Sequence, residues 1–222
     1  MTGKIDIPAR LPAGWEKIPR AFFLHPPEIV APRLLGKILA RRTGETWLAG
    51  RIVEVEAYLG PHITDTPDPA SHSFRGVTPR NGVMFGPPGH AYVYFIYGMY
   101  DCMNVTCEPN GMAGCILIRA LEPLLGLETM AGNRGLAEHT WSGPKLTGGP
   151  GKLCQAMGIA RAEHNGLDLL DRSSPLQLRD DGDEAGEVVI STRIGIRHAA
   201  DLPLRFHLAG NACVSGPKSR KK

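Results

Sequence analysis

The run Arg51-Ile-Val-Glu-Val-Glu-Ala-Tyr58 constrains this chain more than any other segment. Its alternation has the period of two expected of a strand. Ile52, Glu54, Glu56 and Tyr58 should point to one face, and Arg51, Val53, Val55 and Ala57 to the other. An arbitrary Glu-Val-Glu strand most often leaves both acids solvated on a sheet surface. Two carboxylates and a phenol on one face of a β-prone run are better suited to lining a cleft. Same-face neighbours on a strand stand roughly 7 Å apart, a separation that admits a water between them.

The rest of the chain predicts a β-rich frame around that strand. A helix fits Pro27 to Leu35, and Lys37 to Arg42 pairs with Glu45 to Tyr58 across a Thr43-Gly44 turn. Ala91 to Tyr97 is the most strand-like run, Gly98 interrupts it, and Cys102 to Cys107 resumes it. Glu108-Pro-Asn-Gly111 turns the chain into a return strand, Cys115 to Ala120. Short helices fit Leu124 to Met130 and Lys152 to Ile159, separated by a glycine-rich stretch anchored at Trp141. Asp168 to Gly186 reads as polar and acidic, and Glu187 to Arg193 and Leu204 to Leu208 as late strands. The 27 glycines and 19 prolines keep all of these elements short. The expected architecture is α+β, a single mixed domain with a curved, largely antiparallel sheet and short helices around it. An irregular N-terminal arm over 1–20 and a basic, flexible tail over 211–222 flank a domain over 21–210.

Composition removes several function classes. The net charge of +3 does not by itself announce a nucleic-acid partner, although Arg33, Lys37, Arg41, Arg42 and Arg51, then Arg75 and Arg80, then Lys218 to Lys222 form local basic clusters. Five cysteines without CxxC spacing read as reduced, intracellular thiols. No P-loop, dinucleotide fingerprint or zinc spacing is present, so no cofactor and no metal are expected. No membrane partner is expected, and a monomer in bacterial cytoplasm is the default.

All five tyrosines gather near the paired acids: Tyr58, Tyr92, Tyr94, Tyr97 and Tyr100. One core tyrosine is ordinary, but this concentration is the composition of a box that stacks a nucleobase and favours a cationic ring. Tyr97-Gly98-Met99-Tyr100 suits the tip of a turn that wedges between base pairs. His72 sits in Ala70-Ser-His-Ser73, where flanking hydroxyls could fix its tautomer. Asn104 in mid-strand and Arg119 inside an apolar run both call for polar partners, for which Glu56 is the candidate. Leu146-Thr-Gly-Gly-Pro-Gly-Lys152 is a glycine-rich helix entry able to hold a phosphate.

Together, Glu54-Val-Glu-Ala-Tyr-Leu-Gly-Pro61, Ala70-Ser-His-Ser73, Thr78-Pro-Arg-Asn81, Met84-Phe85, Tyr92-Val-Tyr-Phe-Ile-Tyr-Gly-Met-Tyr100 and Leu117-Ile-Arg-Ala-Leu-Glu-Pro123 stand in the order found in one family. Over about Pro27 to Phe206 the chain resembles the alkyladenine (3-methyladenine) DNA glycosylases of the type represented by the human enzyme. The loop from Tyr58 to His72 is longer than usual in that family, leaving His62 as a substitute for His72. The turn Glu108 to Met112 is longer too.

The resemblance implies a base-excision repair enzyme that flips alkylated or deaminated purines from duplex DNA and hydrolyses the N-glycosidic bond. A protruding hairpin would enter the minor groove. By motif, Glu56 would be the general base, with Arg119 and the backbone of Ile194 holding the water. Tyr58, His72 and Tyr94 would stack on the flipped base, and Asn104 would disfavour guanine. Tyr97, with Met99 and Tyr100, would occupy the vacated position. Arg75, Arg80 and Lys152 are the candidates for the DNA backbone. No lysine nucleophile is placed, so an abasic site without strand cleavage is expected. Glu54 reads as structural or as paired with a nearby arginine. Two rivals stand beside this reading: a non-catalytic binder of damaged or bent DNA, which would not need Glu56, and a nucleoside hydrolase, which would not need Tyr97.

Overall fold

A computed structural model of the chain describes residues 10–61, 67–137 and 141–216. His62 and Lys218 to Lys222 lie outside the described residues. In chain order the strands are β1 (Glu16–Lys17), β2 (Ile38–Thr43), β3 (Thr46–Tyr58), β4 (Ala91–Ile96), β5 (Tyr100–Cys107), β6 (Gly114–Leu125), β7 (Leu176–Asp180), β8 (Val188–Ser191) and β9 (Arg205–Leu208). The α-helices are α1 (Pro27–Leu34), α2 (Leu127–Asn133), α3 (Gly143–Thr147), α4 (Pro150–Met157) and α5 (Arg161–His164).

Among the described residues the nine strands form one antiparallel sheet in the order β1-β7-β2-β3-β6-β5-β4, with β9 bonded to β3 and β8 to β9. The organising strand is β3. Its first half pairs with β2 and its second half with β9 along the same edge, while β6 runs along the other. Alternation along β3 supplies the reason: Val53, Val55 and Ala57 are fully buried in the main core, against which α1 and α2 to α4 pack. A smaller cluster of Met84, Tyr92, Ala113 and Cys115 backs Tyr58 and Tyr94.

The α+β reading with a large antiparallel sheet holds, and the differences are local. Besides a slip at Leu124, between the Ala49 and Gly50 pairs, the β3–β6 ladder slips twice around the two acids. Ile52 faces Leu121 but Glu54 faces Ala120, so Val53 is an extra residue on β3. Val55 then faces Ile118, so Arg119 is an extra residue on β6 and the register is restored. Because of the first bulge, Ile52 joins the main core with Val53 instead of sharing the surroundings of the two acids.

The strand β7 was hidden in a stretch read as polar and acidic. It pairs with β1, so part of the expected N-terminal arm is an edge strand. Residues 211–216, grouped with the tail on sequence, pack against the sheet, with Cys213 buried and Ser215 bonded to Glu54. The glycine-rich stretch contains α3, whose buried Thr147 hydroxyl donates to Leu121 O. The first basic cluster is largely structural: Arg51 pairs with Asp181, Lys37 with Asp180, and Arg41 donates to Met157 O.

Between β4 and β5 the chain reverses through Tyr97 and Gly98, with φ of 54° and 69°, and Met99 N–H donates to Ile96 O. Left-handed backbone at both central residues matches the twist of a two-stranded ribbon, but only glycine adopts it without cost. This ends β4 at Ile96 and leaves Tyr97 79% exposed at the tip.

Candidate active site

The paired bulges bring three charged side chains together. Glu54 and Glu56 are both fully buried, and Arg119 is 6% exposed. Arg119 Nε donates to Glu54 Oε1 at 2.9 Å, while its Nη1 lies 3.1 Å from Glu56 Oε1. Glu56 also accepts the Ile194 N–H on Oε1 at 2.7 Å and the Tyr58 hydroxyl on Oε2 at 2.9 Å. A carboxylate offers about four lone-pair sites, so Glu56 retains capacity for a further donor such as water. Burial works against the Arg119 charge, yet Glu56 and Glu54 raise its pKa above the ordinary value. Burial and the neighbouring Glu56 push the Tyr58 phenol well up, so it stays a neutral donor.

Above this floor opens a cavity of about 490 Å³, lined by Tyr58, Tyr94, Tyr97, Tyr100, Arg119 and Ile194 among others, within the size range of small-molecule sites. Tyr94 stacks on Tyr92 at 5.6 Å between centroids, and burial raises the Tyr94 pKa. His72 meets Tyr94 edge-on at 4.6 Å. Its Nδ1 bonds the Tyr92 hydroxyl at 2.9 Å, whereas the flanking serine hydroxyls bond each other. Tyr92, not Ser71 or Ser73, therefore orients the imidazole. Burial, then Arg80, lowers the His72 pKa and favours the neutral ring.

Asn104 does not meet Glu56. Its amide donates to Tyr92 O at 3.2 Å and its oxygen lies 3.7 Å from the Cys115 thiol, because the β4–β5 register places it against Tyr92. Glu56, Asn104 and His72 are not on the cavity wall; Glu56 lies directly behind Tyr58, Arg119 and Ile194, which are.

Met99 and Tyr100 flank the exposed Tyr97, and the Tyr100 ring packs over Gly151, where a Cβ would come within 3.0 Å of it. Lys152 and Arg134 stand on the cavity lining at and near the N-terminus of α4. Arg80 lies 6.0 Å from the Tyr94 ring centroid, and Arg75 is exposed on the same loop. Sequence reasoning missed Arg134, which lies in an unpatterned stretch. It also missed Arg193, fully buried, which pairs with Asp68 at 2.5 Å and stacks 4.7 Å from the Tyr58 ring.

With the geometry in view, comparison with known proteins is decisive. The methylpurine-DNA glycosylase family model matches residues 21–212. The chain belongs to the methylpurine-DNA glycosylase family. Its relatives include proteins provisionally named 3-methyladenine DNA glycosylases. One from Koribacter versatilis is 52% identical over 201 residues, covering 90% of this chain and 94% of that protein. One from Burkholderia lata is 49% identical over 205 residues, covering 92% and 93%. One from Methanoculleus marisnigri is 48% identical over 202 residues, covering 89% and 98%. Membership makes this protein a DNA glycosylase, an enzyme of DNA repair that processes alkylated bases, and removes the non-catalytic rival. In such an enzyme the buried Glu56 and the tyrosine-lined cavity whose wall residues Tyr58, Arg119 and Ile194 hold it are the candidate active site.

Proposed function

We propose that the protein flips damaged purines, of the 3-methyladenine, 7-methylguanine, ethenoadenine and hypoxanthine class, out of duplex DNA and hydrolyses their N-glycosidic bond. One observation carries this reading: a fully buried carboxylate, Glu56, is bonded on both oxygens by Tyr58, Ile194 and Arg119, three residues that line the tyrosine-rich cavity. Glu56 takes a proton from water as it attacks C1′ of an oxocarbenium-like sugar, and the damaged base departs with the bond electrons. Arg119 and the backbone of Ile194 hold the carboxylate and the water. Methylation at N3 or N7 makes the purine cationic and already a good leaving group, and the rings of Tyr58 and Tyr94 favour it through their π faces. His72, edge-on to Tyr94, and Asn104 stand off the cavity wall and reach the base when it opens the pocket toward them, His72 then completing the stack and Asn104 disfavouring the exocyclic amine of guanine.

Tyr97, on a strained and exposed turn, fills the position vacated by the base, with Met99 and Tyr100 beside it. Arg75, Arg80 and Lys152 meet phosphates. The product is an abasic site with the strand intact: Lys152, the lysine on the cavity lining among the described residues, is assigned to a phosphate and not to attack on C1′.

Single-turnover base release from duplexes carrying one lesion tests the reading. Glu56→Gln should lower the rate by about 10²-fold or more, and release at the wild-type rate would defeat the assignment. Strand breakage should appear only after alkali, and a borohydride-trapped covalent complex would contradict it. A nucleoside hydrolase would be indifferent to Tyr97→Ala, whereas turnover of duplex by this enzyme should fall.

A further inference from the structure

The second carboxylate of β3 is left unexplained by this chemistry. Glu54 is fully buried and accepts four hydrogen bonds. Its Oε1 takes Arg119 Nε at 2.9 Å, Arg205 Nε at 2.6 Å and the Ser215 hydroxyl at 3.0 Å, and its Oε2 takes the Ser215 N–H at 2.6 Å. Arg205 is itself tied to Ser191 Oγ and Ser215 O. Burying an unpaired carboxylate or guanidinium costs several kcal/mol, so these charges are retained only as a set: Glu54 and Glu56 against Arg119 and Arg205, with no net charge.

The set constrains Arg119 at each nitrogen. Nε is held by Glu54, Nη2 donates to Ser215 Oγ at 3.2 Å, and only Nη1 is left to face Glu56. A guanidinium held by Glu56 alone could rotate about its chain and bind that carboxylate through two nitrogens. We propose that Glu54 is a positioning residue: by holding Arg119 Nε, and by joining β6 to β9 and the 213–216 segment, it limits Arg119 to one contact with Glu56 and leaves that carboxylate free to take a proton from water. The inference rests on Glu56 being the general base.

Its electrostatic sign is fixed by the neighbours. The charged and titratable groups around the two acids are Arg119 from β6, Arg205 and His207 from β9, Tyr58 from β3, and Arg193 beyond β8. Burial pushes the Glu54 pKa up, but Arg119, the Ser215 N–H and Arg205 outweigh it and hold the group below its ordinary value. Glu54→Gln removes one negative charge, so Arg119 is drawn to Glu56 alone and competes with the water for that carboxylate. Arg205→Gln removes one positive charge and draws Arg119 more strongly to Glu54.

The test is single-turnover release of 7-methylguanine from duplex between about pH 5 and pH 9. The N7 methyl of that base fixes a positive charge on the ring at every pH, and N1 loses its proton only around neutrality, so a limb on the acidic side of that reports the enzyme. Glu54→Gln should slow release by about tenfold or more and move the acidic limb to lower pH, and Arg205→Gln should move it to higher pH. Thermal unfolding measures folded protein in each case. If both variants lose only stability, with the wild-type rate per folded molecule and an unmoved limb, the inference is overturned. Should Glu54→Gln not fold, Ser215→Ala removes a hydroxyl contact to Glu54 and the anchor of Arg119 Nη2 without stranding a charge. Several-fold slower release with unchanged affinity for the duplex is then expected, and an unchanged rate overturns the inference. Glu56→Gln separates the two levels. If it releases base normally, the reading of Glu56 has failed. If it is inactive while Glu54→Gln and Arg205→Gln keep the wild-type rate and limb, only the positioning role has failed.

Discussion

The Tyr58 hydroxyl donates to Oε2 of Glu56 over 2.9 Å. The ring proposed to stack on the flipped base therefore also restrains the proposed general base. A hydrogen bond to an ionised group favours the ionised form. Removing it in Tyr58→Phe leaves Glu56 Oε2 without its phenol donor and should slow release most at the acidic end of the rate profile. Release should then be close to wild type at pH 8 and clearly slower at pH 6. Tyr58→Ala removes the stacking ring as well, so it should weaken substrate binding at every pH. Single-turnover profiles of the two variants separate these effects.

Tyr97 carries conflicting demands. Its φ of 54° places a bulky side chain in the left-handed region, a cost of roughly 1–2 kcal/mol. It is 79% exposed and packs on little that would compensate. Tyr97→Asn, which tolerates that backbone, should raise the melting temperature while slowing base release from duplex. Release from a single strand, where no base pair must be opened, should be affected less. A variant that is both less stable and equally active on duplex would contradict the wedge role.

The two demands at Tyr97 show what could be read from sequence. Clustered aromatic types and a glycine locate the tip, because composition survives without coordinates. The alternation of β3 likewise put Val53, Val55 and Ala57 together on the face opposite the two acids, and that face is buried in the main core. What alternation could not show is the slip at Val53 and the matching one at Arg119, since a bulge depends on the partner strand. Those slips decide that Arg119 serves both acids. The pairing of Glu54 with arginine was legible in kind, but Arg205 and Ser215 lie more than 150 residues away and no local pattern points to them. Asn104 illustrates the limit from the other side. Its need for a partner was evident, yet the β4–β5 register gives it Tyr92 O and Cys115 rather than Glu56.

Behind the Tyr58 ring, Arg193 and Asp68 form an ion pair in which both side chains are wholly buried. Arg193 also donates to Ala57 O at 3.1 Å, tying the residue before Ile194 to the end of β3. Asp68→Asn strands the guanidinium charge and should cost about 3–5 kcal/mol in denaturant unfolding. Pairing it with Arg193→Met removes the stranded charge and should recover much of that loss. A double-mutant cycle that shows simple additivity would mean that the two groups are not coupled.

Glu108 sets a pH dependence of stability away from the cavity. It follows β5 with φ of 73° and is 4% exposed, and its N–H donates to Phe23 O at 2.7 Å. Neither Glu108 Oε2 nor Glu28 Oε2 has a hydrogen-bond partner. Burial, then repulsion from Glu28, raises the Glu108 pKa from 4.5 to about 7, against a smaller opposing effect of the Gly114 N–H. The folded state therefore holds its proton more tightly than the unfolded chain. Between about pH 4.5 and pH 7 the unfolded chain has already released that proton, so stability falls as pH rises through this window and levels off above it. At about 1.4 kcal/mol per pH unit the whole effect is on the order of 3 kcal/mol. Glu108→Gln keeps the shape and cannot ionise, so it should be more stable than wild type at pH 8, with the advantage shrinking below pH 7 and absent near pH 4. Denaturant midpoints of the two proteins across this range check it, and parallel curves would show that Glu108 does not carry the dependence.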